Sequence, residues 1–168
     1  MKRLLLLTVA LCVSTMAMAQ KEEVKFSLSG VYRSADTSLL DRDNPFTTQD
    51  VELTYGIHFN DKWALTIPIT SSSIMYPNTH TYSDLFLLGL GGEYKIVDNS
   101  QWDWSLVANV QSSIGKNDWG GAIVYDFGLM DEYDNVQTAI GFKYYDAHKS
   151  YIKDRLCIYL SFGFRFKM

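Results

Sequence analysis

Phe162-Gly-Phe-Arg-Phe-Lys-Met168 alternates apolar and polar side chains until its last two residues. Alternation of this kind marks a β-strand with two unlike faces. A strand this aromatic presents an edge that pairs indiscriminately unless another strand covers it. Pairing this strand with the first one in the chain covers that edge. The sequence is therefore expected to close into a barrel.

The same alternation recurs along the chain, separated by turn-forming residues, and no helical period is sustained. Eight strands are expected, at about 24–33, 50–59, 63–69, 84–96, 102–114, 122–129, 136–145 and 155–166. The connections alternate in length. Asn60-Asp-Lys62, Val97-Asp-Asn-Ser-Gln101 and Asp131-Glu-Tyr-Asp-Asn135 are short turns, whereas 34–49, 70–83, 115–121 and 146–154 are longer. Pro68 falls inside the third strand, where it predicts a bulge or the end of pairing.

Sorting each strand by parity separates two faces. One carries forty residues, from Val24, Phe26 and Leu28 to Phe162, Phe164 and Phe166; none is charged and sixteen are aromatic. The other holds Lys25, Arg33, Asp50, Glu52, Glu93, Lys95, Asp103, Asp126, Lys143 and Arg165, with His58, Asn109, Gln111, Gln137 and several glycines. An eight-stranded barrel is only just wide enough inside for ordinary side chains. Sixteen rings do not fit there, so the apolar face is expected to point outward and the charged face inward. Five acids and five bases are expected to pair in the lumen, because an unpaired buried charge is costly. Phe59, Trp63, Tyr94, Trp102 and Phe166 fall at the short-turn rim, as an aromatic girdle at a bilayer interface would.

The amino end predicts export. Lys2 and Arg3 precede the largely apolar stretch Leu4–Val13, and Ala17-Met-Ala19 has the small-x-small pattern of a cleavage site. Cleavage after Ala19 leaves residues 20–168 as one barrel domain. It moves the net charge from −4 to −6, since only Lys2 and Arg3 are lost. Leu11 precedes Cys12, which argues against lipidation there. Cys157 remains and predicts a buried thiol. A mildly acidic chain without a basic run offers nothing to nucleic acid.

The signal peptide, strand count, unequal connections and terminal strand Tyr159-Leu-Ser-Phe-Gly-Phe-Arg-Phe166 resemble the small eight-stranded outer-membrane barrels, the OmpX and OmpA-transmembrane-domain type. Members usually end on the aromatic itself, whereas here Lys167-Met168 follow. The resemblance implies an all-β, closed, antiparallel up-and-down transmembrane barrel with a filled polar lumen. It also implies an outer-membrane location, monomeric state, contact with membrane lipid, and handling by periplasmic chaperones and the barrel-insertion machinery.

Three functions compete. The first is a non-enzymatic structural or adhesive role, with the segments 34–49 and 70–83 meeting an extracellular partner. The second is a lipid A-modifying acyl hydrolase or acyltransferase. His80, Ser83 and Asp84 lie close together near the outer rim, and general-base activation of a serine by histidine is sound chemistry. Residues three apart on a strand face opposite ways, which counts against that triad. His148, in the last long connection, is a further candidate. The third is a soluble secreted barrel holding an apolar ligand. His58 is expected to bond within the lumen, to Glu52 or a neighbour. Trp119 suits either an outer loop or an outer girdle. Three scattered histidines do not form a metal site, no cofactor is implied, and no substantial pore is expected.

Overall fold

In the computed structural model, residues 21–36, 47–76, 81–99, 102–115, 119–148 and 154–167 are described. The segment read as a signal peptide lies outside them. Eight strands follow in order: β1 (Lys21–Asp36), β2 (Thr47–His58), β3 (Trp63–Tyr76), β4 (Thr81–Asp98), β5 (Trp102–Ser113), β6 (Ala122–Tyr133), β7 (Val136–Ala147) and β8 (Arg155–Lys167). Each pairs antiparallel with the next, and β1 pairs with β8, from Glu23↔Lys167 to Asp36↔Arg155. The terminal aromatic strand is the seam of a closed barrel.

The short turns are tied by their own polar residues. Asn60 Oδ1 accepts from Lys62 N and Trp63 N, each at 2.9 Å, and links β2 to β3. Between β6 and β7 the turn shrinks to Asp134-Asn135, because Tyr133 already pairs with Val136. Asp134 takes a left-handed φ of 54°, which aspartate tolerates better than most residues.

Two expectations are corrected. Residues 70–83 are not a long loop: β3 and β4 form a ladder as far as Tyr76↔Thr81, leaving only 77–80 between them. The stretch is rich in Ser and Thr, and lacks the apolar contrast that marks a strand, yet its alternation is real. Thr70 and Ser72 are buried, whereas Ser71 and Ser73 are exposed. At Pro68 there is neither a bulge nor an end to pairing. The β3–β4 ladder skips from Thr66↔Gly91 to Ile69↔Leu88 without a change of register.

Candidate functional site

The charged face lies inside, as expected. Lys25, Asp50, Glu93, Asp126, Lys143 and Arg165 are all buried. Lys143 Nζ reaches Asp50 at 2.6 Å, and Ser72 Oγ donates to the same carboxylate at 2.6 Å. Glu52 accepts from the hydroxyls of Thr54 and Thr70, each at 2.9 Å. Toward the short-turn rim Lys25 bridges Glu93 and Glu23, the latter at 3.0 Å, and Lys95 meets Asp103 at 2.8 Å. The side chain of Arg33 lies outside the described residues.

The predicted balance of five acids and five bases does not hold. Glu23 and Glu132 are also buried in the lumen and partner Arg165, with Glu23 at 3.7 Å. Both escaped the sequence reading because they sit beyond the expected strand limits. His58 Nε2 stands 3.1 Å from Glu23, not beside Glu52. Among the described side chains, lumenal acids outnumber lumenal bases.

The lumen is not polar throughout. Toward the long-connection rim, Ile74, Leu85, Leu87, Ala122, Val124, Tyr145, Cys157 and Tyr159 form a buried apolar cluster. Tyr159 leans over Gly141, where a Cβ would stand 2.7 Å from its ring. This cluster stoppers one end. Beneath it a cavity of about 50 Å³ remains, lined in part by Glu52, Asp126, Lys143, Lys25 and Glu93. At roughly 10–15 Å³ for each water, that is room for a few waters and no more.

The exterior is an apolar belt. Phe26, Leu53, Leu90, Phe127, Ile140 and Leu160 are exposed, Leu160 by 62 %. On β4 the belt runs from Phe86 to Ile96, a rise of roughly 25 Å along the barrel axis once strand tilt is allowed for. The five residues expected to form a girdle lie near one rim. Trp63, Trp102 and Phe166 are exposed, and Phe59 and Tyr94 are half-buried at the short-turn rim. Trp63 packs on Tyr94 with ring centroids 4.5 Å apart, and Trp102 meets Tyr133, a member the sequence reading missed, at 6.0 Å.

At the opposite rim, Asp84 is the one member of the candidate His80, Ser83 and Asp84 set whose side chain is described. Asp84 is exposed and accepts from Ser73 Oγ at 2.8 Å. His80 and the side chain of Ser83 lie outside the described residues. His148 has a structural bond: its Nδ1 donates to the Gly120 carbonyl at 3.1 Å, clamping the end of β7 to the β5–β6 connection. Trp119 is 75 % exposed. The β2–β3–β4 ladder rises here. β4 residues Thr81–Leu85 pair with β3 and extend past the first β4–β5 partners, Leu87↔Ser113.

No family model matches the sequence, and no curated protein matches it. The N-terminal β-barrel domain of Pseudomonas aeruginosa OprF aligns with 88% of this chain and 100% of its own, with a TM-score of 0.51 at 14% identity. Neisserial surface protein A (NspA) aligns with 88% of this chain and 97% of its own, with a TM-score of 0.54 at 16% identity. The chain has the small eight-stranded outer-membrane barrel fold. At these identities the likeness extends to the fold alone.

Proposed function

We propose that this chain is a non-enzymatic integral barrel of the outer membrane that presents its long-connection rim to surface partners. The apolar belt, which has no charge among the described side chains of its middle, carries the reading. Its height of roughly 25 Å matches a bilayer's apolar band, and it is bordered by aromatic rings at the short-turn rim. In water so large an apolar surface would drive aggregation. The short turns then face the periplasm, and the rising β2–β3–β4 ladder faces outward. Chaperones and the insertion machinery would receive the chain before it closes. A soluble ligand-binding barrel is disfavoured, since its pocket would need roughly 300 Å³ or more, against a lumenal cavity of about 50 Å³.

Cell fractionation with heat-modifiable gel mobility tests the location. The protein should sediment with outer membranes and shift mobility on boiling; recovery in the soluble periplasmic fraction would overturn the assignment. Attachment of displaying cells to laminin- and fibronectin-coated surfaces tests the adhesive role. A variant with 37–46 replaced by a Gly-Ser linker should attach less, and equal attachment removes that role. Lipid A from a deletion strain should keep its acylation pattern. A change that His80→Ala reproduces would establish the enzyme instead.

A further inference from the structure

The interruption at Pro68 lies beside a feature of the outer wall. Lys95 N–H donates to the Lys62 carbonyl at 2.8 Å, which sets the alternation of the β3–β4 ladder. Even-numbered β3 residues turn both backbone polar groups toward β4. In the register set by Thr66↔Gly91 and Ile69↔Leu88, Pro68 stands opposite Gly89. Proline has no N–H to give, so the Gly89 carbonyl lacks its ladder donor. An unsatisfied backbone group at membrane depth is costly.

At the same place the exterior is hollow. A space of about 600 Å³ opens on the outside of the barrel, lined by Ile67, Leu88, Gly89, Leu90, Val110 and Ile123, among others. Ser112, a small residue on the outward face of β5, leaves room at its margin. The hollow is nearly all apolar, continuous with the belt, and lies in its outer half. Gly89, whose carbonyl Pro68 leaves without a ladder donor, is part of its wall.

We propose that this hollow seats one acyl chain of a membrane lipid, and that a hydroxyl on the chain donates to the Gly89 carbonyl. The seat rests on the membrane reading of the belt. It selects for a chain that is apolar along its length and carries a single donor, which describes a hydroxylated acyl chain. It involves no bond making or breaking and is a binding site only.

The test places the methyl-labelled protein in phosphatidylcholine nanodiscs doped with a 3-hydroxymyristoyl lipid or its unhydroxylated counterpart. Cross-peaks from chain methylenes should appear at the methyls of Leu88, Leu90 and Val110. The hydroxylated lipid should occupy the seat about fivefold more tightly, as one neutral hydrogen bond allows. Pro68→Ala restores the N–H and should abolish that preference while keeping the chain contacts. Ser112→Phe should fill the hollow and remove the contacts of both lipids, with heat-modifiable mobility intact. If Pro68→Ala does not fold, the wild-type preference and Ser112→Phe still decide. Equal occupancy by the two lipids, or a water cross-peak at Gly89 in place of chain contacts, overturns the seat. Failure to enter nanodiscs overturns the membrane reading and the seat together.

Discussion

Lys143 is the residue on which the outer half of the charge network turns. It binds Asp50 at 2.6 Å and stands 5.0 Å over the ring of Tyr159, with Asp126 lining the same cavity. Replacing one member of a buried pair strands the other without solvent. Lys143→Met should therefore lower stability by about 3–5 kcal/mol in urea unfolding of the folded protein in lipid vesicles. Adding Asp50→Leu should recover most of that loss. A single-variant cost below about 1 kcal/mol would mean that the pair is solvated. Asp134 makes the opposite kind of prediction. Its φ of 54° suits glycine as well as aspartate, so Asp134→Gly should refold as the parent does. Asp134→Val, with a branched Cβ in the same conformation, should lose about 1–2 kcal/mol. What was legible at this scale was parity. Lys25, Lys143 and Arg165 are where alternation placed them, and Glu23 and Glu132 were missed only because the strands run farther than their contrast shows.

At the scale of the element, β8 carries the clearest depth gradient. Leu160 sits in the middle of the belt and Phe166 at its rim, exposed by 62 % and 59 %. Leu160→Arg should cost about 2–4 kcal/mol in bilayers, and Phe166→Arg about 0–1. Equal costs would mean that the belt does not face a slab of hydrocarbon. β3 and β4 show where reading stopped. In Leu85-Phe-Leu-Leu88 all four residues are apolar, so only the parity of the rest of β4 places Phe86 and Leu88 outward, and polarity gives no sign that Leu85 and Leu87 fill the lumen. Leu85 and Leu87 are buried in the apolar stopper, while Phe86 and Leu88 face outward. The Ser/Thr run of β3 fails for the converse reason, since its two faces are equally polar. Of the catalytic candidates, Asp84 accepts a hydrogen bond from Ser73.

For the whole molecule, the stopper and the network below it act in series. Either would block an open water path, and the space left within the network is about 50 Å³. Refolded protein in planar bilayers should show no stable conductance in the nanosiemens range. Sustained channels of that size would require the apolar cluster to be displaced. The architecture itself was legible from connection lengths and faces, because closure is a property of all the strands at once and tolerates local misreading. The stopper was not, since it depends on which few apolar residues turn inward near one rim.

The seam between β1 and β8 sets a clock on folding. Glu23 meets Lys167, so the first strand waits for the last to be delivered before the cylinder exists. Contacts between such remote parts of the chain form slowly, because the loop must be closed before they reward it. During that delay every strand exposes an uncovered edge and an oily face. Until the two ends meet, those edges and faces are open to pairing with other copies of the chain.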